Sequence, residues 1–370
     1  MRRAGELASR GLGSTSPNPP VGALILSDEG TLGEGFHRVH GEPHAEIEAL
    51  ADAARRGADV RGATMYVTLE PCTHQGRTPP CTQALVAAGL ARVVIGTHDP
   101  NPKASGGAQA LAAAGVAVTL ADDPWAASLV EEFIVRCGTG RPFVRLKLAT
   151  ALDGMLAPAA GMRFELSGAL ARDYVRELRI RSDAVMVGAG TVRIDDPRLT
   201  VRPPHARRVP YRRIVACERE PVPLERAIFE EEEGYAPTLV LAPAGARPRF
   251  APLAERAELV FVGDERATSL DLTAALDALA ERGIASILCE GGPTLAARLL
   301  ERALVDRIEW IVAPRILGGP APLPALGTRT AGARLQFDRC EPFGDDLVIS
   351  ARCLHGEAEP FGKDGECSAG

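Results

Sequence analysis

The chain reads as an α/β protein of two domains, and three observations carry that reading. It has 370 residues, where a single domain usually runs to roughly 100–200. Short apolar runs alternate with stretches of helical period along most of its length. A glycine-rich break, Gly138-Thr139-Gly140-Arg141-Pro142, divides the alternation into two blocks. Hydrophobic residues make up 46% and charged residues 24%, which excludes disorder over most of the chain. No stretch of ~18 uncharged apolar residues is present, which excludes a membrane-spanning helix. Met1-Arg2-Arg3-Ala4-Gly5-Glu6 has no apolar run behind its arginines, which argues against a secretory leader.

In the first block, residues 21–26 form an apolar run read as a strand. Residues 45–56 repeat apolar side chains at helical spacing and stop at Gly57. Residues 64–69 are a second strand, 82–88 a helix ended by Gly89, and 93–96 and 116–120 further strands with a helix at 109–114 between them. Strands alternating with helices predict a substantially parallel sheet. In the second block, strands are predicted at 143–148, 184–187, 213–216, 238–241, 259–262, 286–288 and 307–312, with helices at 169–180 and 293–301. The acid run Glu230–Glu233 reads as a solvated loop. The expected division is 1–140, 141–354 and a polar, aperiodic tail over 355–370.

Formal net charge is −6, against 42 Lys plus Arg and 48 Asp plus Glu. Mild acidity disfavours a general nucleic-acid binder. Only three of the basic residues are lysines, Lys103, Lys147 and Lys363; the other 39 are arginines. Lys is a compact donor whose pKa is readily tuned and Arg a broad planar fork, so a lysine surviving in such a chain marks a place where Arg does not fit.

Eight cysteines are scattered, as expected of reduced thiols in a cytoplasmic protein, but Cys72 and Cys81 lie close together beside prolines. Upstream stands His44-Ala45-Glu46. One His and two Cys make a tetrahedral zinc set with a position left open, the catalytic rather than the structural arrangement. Glu46, two residues past His44 at a helix start, is placed to move protons without ligating. This order of residues is the signature of zinc-dependent nucleobase deaminases, except that eight residues separate the cysteines here instead of two. Taken singly, each residue reads more simply as a helix start or a core filler; the reading rests on their combination. His74, inside the inter-cysteine loop, is a rival ligand.

With these residues in hand, the chain resembles the bifunctional riboflavin-biosynthesis deaminase/reductase family. The matching segments are Pro17-Asn18-Pro19, residues 41–46, Leu69-Glu70-Pro71-Cys72, residues 76–81, Asp99-Pro100-Asn101-Pro102-Lys103, Leu146-Lys147-Leu148-Ala149, Leu152-Asp153-Gly154, Asp195-Asp196-Pro197, residues 199–202 and Glu290-Gly291-Gly292-Pro293-Thr294. The eight-residue cysteine loop is typical of that family. The resemblance implies a cytidine-deaminase-like three-layer α/β/α domain followed by a dihydrofolate-reductase-like α/β domain. It implies hydrolytic deamination of a diaminopyrimidinone bearing a phosphoribosylamino arm, then NADPH-dependent reduction of the ribosyl group to ribityl.

Carried over by position, His44, Cys72 and Cys81 hold Zn²⁺ and Glu46 shuttles protons. Asn18, Arg77, Asn101 and Lys103 bind the deaminase substrate. Lys147, Asp195 and Glu290 surround the ribose being reduced, with Arg163, Arg179, Leu199 and Arg202 on the reductase substrate. Ala149, Glu165, Thr191, Asp195, Gly292, Pro293, Thr294, Leu295, Ala296, Ala297 and Arg298 cradle NADPH. A homo-oligomer, dimer or tetramer, acting on a small phosphorylated pyrimidine, with neither nucleic acid nor membrane as partner, is implied as well. The sequence departs from the family pattern at Met155, Arg163 and Glu165. An alternative therefore stays open, a deaminase whose degenerate second domain serves binding or assembly. A tRNA-type deaminase would want a basic surface, and a purely structural zinc module a fourth ligand.

Overall fold

The computed structural model describes residues 1–74, 79–201, 210–319, 321–326 and 332–355. The first block supplies α1 (Arg2–Ser9), β1 (Gly22–Ser27), β2 (Gly30–Phe36), α2 (Ala45–Arg55), β3 (Thr64–Leu69), α3 (Cys81–Ala87), β4 (Arg92–Thr97), α4 (Gly107–Ala113), β5 (Ala117–Leu120), α5 (Pro124–Leu129) and α6 (Glu131–Thr139). Its five strands lie in the order β2-β1-β3-β4-β5. The β1–β2 and β1–β3 pairs are antiparallel, while β3–β4 and β4–β5 are parallel. Helices α1 and α5 pack on one face, and α2, α3 and α4 on the other, giving three α/β/α layers.

In this first block the predicted strands and helices appear within two residues of their expected ends. Strand β2, absent from the sequence reading, explains itself physically. Its inward positions include Gly33 and Gly35, so no apolar alternation announces it. Those glycines let α2 lie directly on the strand: a Cβ at Gly35 would stand 2.3 Å from the Ala49 nitrogen, and one at Gly33 2.3 Å from the Ala49 carbonyl oxygen. On the helix side the contact face is equally small, Ala45, Ala49 and Ala53. Glu46 and Glu48 in the first turn and Arg55 in the last complement the dipole of α2.

The second block contributes β6 (Phe143–Ala151), β7 (Met155–Ala157), α7 (Ala169–Arg181), β8 (Ala184–Gly188), α8 (Ala189–Asp195), β9 (Arg212–Ala216), β10 (Thr238–Pro243), α9 (Arg247–Phe250), β11 (Ala257–Val262), α10 (Leu272–Glu281), β12 (Ser286–Cys289), α11 (Pro293–Glu301), β13 (Arg307–Ala313), β14 (Leu323–Pro324), β15 (Arg334–Phe343) and β16 (Asp346–Leu354). Nine of these strands form one sheet, ordered β11-β10-β9-β8-β12-β6-β13-β16-β15. From β11 to β13 every pair is parallel; β16 and β15 close the far side antiparallel. The parallel strands are buried on both faces, so alternate residues feed two cores. Ala184 and Met186 of β8 pack into one core with Val144, Leu146 and Ile287; Val185 and Val187 pack into the other with Val215 and Val240. Strand β15 gives no sequence signal because it is an exposed edge without apolar alternation, four of its ten residues being charged.

The two sheets are tied by charge. Glu131 of α6 accepts from Arg307 Nε at 2.9 Å, and Glu132 pairs with Arg145 at 3.2 Å. Ser16 donates to Asp183 at 2.8 Å, and the same carboxylate oxygen accepts the Ala285 amide at 2.8 Å. Among the described residues no helix is long and apolar enough to cross a membrane, and the seven described cysteines are unpaired.

Candidate active sites

Three connections of the first sheet converge on one point. His44 is the residue before the first turn of α2, Cys81 opens α3, and Cys72 lies three residues past the end of β3. His44 Nδ1 is 3.6 Å from Cys72 Sγ and 3.3 Å from Cys81 Sγ, and the three ligand atoms all lie within 4.8 Å of one another. Zinc bonds of ~2.3 Å to sulfur and ~2.0 Å to nitrogen at tetrahedral angles require N···S edges of ~3.5 Å. The donor set and its spacing therefore fit Zn²⁺. His74 is exposed and stands outside the cluster.

Two sulfurs and an imidazole this close cannot all stay neutral and independent. The Cys81 thiol hydrogen-bonds the Cys72 sulfur, and with help from His44 this outweighs burial and holds Cys72 down to about 4. Cys81 is pushed the other way by the same contact. The bond to Cys72 raises His44 above its ordinary value. Glu46 is buried at 3% exposure beside them, and burial lifts its carboxyl although the His44 charge opposes this.

A second layer orients the first. His37, buried, makes a 3.1 Å contact from Nδ1 to the Pro43 carbonyl and a 3.3 Å contact from Nε2 to the Asn18 amide nitrogen, and its ring stands edge-on to His44 at 5.5 Å. A carbonyl only accepts, so Nδ1 carries the proton and Nε2 accepts from Asn18. Asn18 is thereby joined to the cluster. Glu70, buried between Leu69 and Pro71, accepts from the Asp99 amide at 3.1 Å and the Ala108 amide at 2.9 Å and contacts His98 Nδ1 at 3.2 Å. Burial pushes its carboxyl up, but these donors win and hold it below the usual range. Glu70 thus pins the loop carrying Asn101 and the exposed Lys103 against Cys72. Asn101 caps its own loop, accepting the Lys103 amide at 3.1 Å. Arg77 lies outside the described residues.

In the second sheet the carboxyl ends of β6, β12, β8 and β9 open into a cavity of about 740 Å³. Lys147, Asp195 and Glu290 line it together with Ala149, Glu165, Thr191, Gly292, Pro293, Thr294, Leu295 and Arg298. Ala296 and Ala297 do not: both side chains are fully buried on α11, which leaves their backbone to face a cofactor. Leu199 is buried too, in the left-handed region at φ 51, which leaves only its backbone for a ligand. Arg202 lies outside the described residues. Arg163 is exposed and stands outside the cavity wall, yet its charge opposes the burial that raises the Asp195 carboxyl.

Arg179 differs most from expectation. Its guanidinium grips Glu290 with both arms, Nε to Oε1 at 2.6 Å and a terminal nitrogen to Oε2 at 3.0 Å, while the remaining nitrogen donates to the Thr200 carbonyl at 2.9 Å. It also stands outside the cavity wall. Burial raises Glu290, but Arg179 overcomes it and keeps the carboxylate ionised. Lys147 faces that carboxylate, and burial lowers its ammonium. Gly188, which ends β8, and Gly190, in the first turn of α8, are not singled out from the sequence; they give the cavity a second glycine-bearing strand-to-helix turn besides that of Gly291 and Gly292. The same signal marks both, glycines between an apolar strand and a helix. Polar groups at one end, glycine turns in the middle and a volume of this size fit a dinucleotide.

Residues 142–349 match the family model for the RibD C-terminal domain, and residues 1–97 that for the cytidine and deoxycytidylate deaminase zinc-binding region. The riboflavin biosynthesis protein RibD of Escherichia coli (strain K12) is 38% identical over 96% of this chain and 97% of its own length. The chain belongs to the RibD family. RibD of Aquifex aeolicus (strain VF5) is likewise 38% identical, over 94% of this chain and 96% of its own. Among solved structures, RibD from Acinetobacter baumannii superposes with a TM-score of 0.79 at 36% identity, covering 96% and 98% of the two chains. The diaminohydroxyphosphoribosylaminopyrimidine deaminase/5-amino-6-(5-phosphoribosylamino)uracil reductase from Thermotoga maritima also gives 0.79, at 34% identity over 96% and 97%. Like other RibD proteins, this one is a bifunctional deaminase and reductase of riboflavin biosynthesis, with zinc and NADPH as cofactors.

The Glu70 bonds give this RibD a direct test. Glu70→Gln loses the charged acceptor of two amides but leaves the zinc ligands alone. The expected result is full zinc content with KM for the deaminase substrate raised about tenfold, the loss of roughly one charged hydrogen bond of ~1.5 kcal/mol. An unchanged KM would remove Glu70 from the account.

Proposed function

We propose that the first half hydrolyses the 2-amino group of 2,5-diamino-6-(5-phosphoribosylamino)pyrimidin-4-one and that the second reduces the ribosyl group of the resulting aminouracil to ribityl. The observation that carries this is the completeness of two separate sites in one chain: a His44–Cys72–Cys81 cluster with Glu46 beside it, and a cavity that joins Lys147, Glu290 and Asp195 to two glycine turns. The domains divide between Gly140, in the left-handed region at φ 78, and the start of β6 at Phe143.

Zinc, when bound by His44, Cys72 and Cys81, supplies an activated water at neutral pH. Glu46, with its carboxyl raised by burial, takes a proton from the attacking water and delivers it to the departing amine. Asn18, held by His37, presents its amide oxygen toward the pyrimidine. Asn101 and Lys103 on the Glu70-pinned loop, with Arg77, bind the ring and the phosphate.

NADPH, when bound along the glycine turns, supplies the hydride. Lys147 is the proton donor to the ribose oxygen: desolvation lowers its pKa, so the ammonium gives up its proton readily, and the Glu290 carboxylate keeps it aligned. Asp195 hydrogen-bonds the ribose hydroxyls. Arg202 and Arg163 attract the substrate phosphate. The departures at Met155, Arg163 and Glu165 leave Lys147, Asp195 and Glu290 together in the cavity, which favours an active reductase over a degenerate one. A cytoplasmic location fits the unpaired thiols, and a homo-oligomer fits the exposed edge strand β15.

Two substitutions separate the halves. Glu46→Gln should keep one zinc per chain, measured by metal analysis, while deamination falls by about 10²–10⁴; loss of zinc would mean the carboxylate has the wrong role. Lys147→Arg should leave deamination intact and cut NADPH-dependent reduction at least ~100-fold, because a guanidinium neither fits nor releases its proton there. Near-normal reduction in that variant would contradict the assignment.

A further inference from the structure

The reductase cavity extends past its glycine turns to a far end beyond β9. Strands β6, β12, β8 and β9 lie side by side, and neighbouring strands are ~4.8 Å apart, so the cavity runs ~15 Å across three strand spacings. Lys147 and Glu290 mark one end. The glycine turns 188–190 and 291–292 mark the middle. Beyond the end of β9 lie Glu218, Arg219 and Glu220, with Arg298 reaching over from α11. A dinucleotide whose reacting ring sits at Lys147 and whose diphosphate sits at the glycine turns brings its adenosine ribose to this far end.

Carboxylates alternate with arginines there, and most of the arginines are already engaged where a 2′-phosphate would want a free cation. Glu218 is ion-paired with Arg298, which is only 15% exposed and also donates to the Leu270 carbonyl at 2.6 Å. Arg193 donates to the carbonyls of Glu220 and Pro221 at 2.8 and 3.0 Å. Glu220 pairs outward with Arg249 at 2.8 Å. Arg219 is exposed at the rim and supplies the attraction a phosphate meets. In dinucleotide sites of parallel sheets, an acidic residue past a strand end accepts the ribose 2′-hydroxyl, whereas an arginine receives the 2′-phosphate.

We propose that Glu218 is a specificity-determining residue of the cofactor site: its carboxylate engages Arg298 and accepts the ribose 2′-hydroxyl, so this reductase admits NADH alongside NADPH. The inference rests on reading the cavity as the dinucleotide site and adds to it which dinucleotides enter. Discrimination by repulsion needs no extra contact, since a carboxylate beside the incoming phosphate weakens one ligand and spares the other.

The test measures binding rather than turnover. Dissociation constants of NADPH and NADH, and of the fragments adenosine 2′,5′-bisphosphate and 5′-AMP, are determined by calorimetry on the full-length zinc-loaded protein and on Glu218→Gln and Glu218→Ala. The wild-type protein should bind NADH within about tenfold of NADPH. Both variants should shift the NADH-to-NADPH ratio of dissociation constants at least tenfold toward NADPH, about 1.4 kcal/mol, with the bisphosphate fragment tightening in step. A ratio unchanged within twofold in both variants overturns the role of Glu218. A wild-type preference for NADPH above a hundredfold overturns it as well. Failure of the wild-type protein to bind either dinucleotide overturns the reading of the cavity and the inference together.

Discussion

A parallel strand must be followed by a crossover, and the crossover helix starts where the strand ends. This constraint gathers strand ends and helix starts on one edge of a sheet, and both sites of this RibD are built there. In the first half it brings His44 at the start of α2, Cys81 at the start of α3 and Cys72 past the end of β3 within ligand distance. In the second it brings Lys147, Gly188, Ala216 and Glu290 from four strands to the rim of one cavity. Neither site would survive a change of strand order, because the chemistry belongs to the edge and not to any one segment.

The two sites handle charge differently. The metal cluster concentrates it: Cys72 is pulled toward its thiolate, Cys81 and Glu46 are pushed toward their protonated forms, and His44 is raised. A divalent cation relieves all four at once, which is why the group reads as a metal site rather than a core. The reductase cavity balances charge internally. Arg179 fixes Glu290, and Glu290 in turn faces a desolvated Lys147. Arg179 is better placed to orient that carboxylate than to hold a phosphate.

Much of this was legible in the sequence because the parallel strands and crossover helices carry their own periodicity, and because His44, Glu46, Cys72 and Cys81 are rare types in a telling order. What was hidden had physical reasons. Strand β2 faces a helix through Gly33 and Gly35, which leave no apolar signature. Strand β15 is an exposed edge with charged side chains. Glu70 and His37 act through contacts to distant backbone and side-chain groups, which no local pattern records. Ala296 and Ala297 show what a motif of consecutive residues does not reveal, that a helix turns only part of its side chains to a ligand and buries the rest. Of the two lysines that fall on motif positions, Lys147 lines the cavity, whereas Lys103 lies exposed on its loop.

The central claim is that one chain carries two chemically independent sites acting in order. It is tested most directly by giving the purified zinc-loaded protein the diaminopyrimidinone phosphate first without and then with NADPH, following ammonia release and NADPH absorbance together. The account predicts stoichiometric ammonia before any cofactor is added, and NADPH oxidation only afterwards, equal to the deaminated product formed. Absence of ammonia release, or deamination with no subsequent oxidation of NADPH, would contradict it.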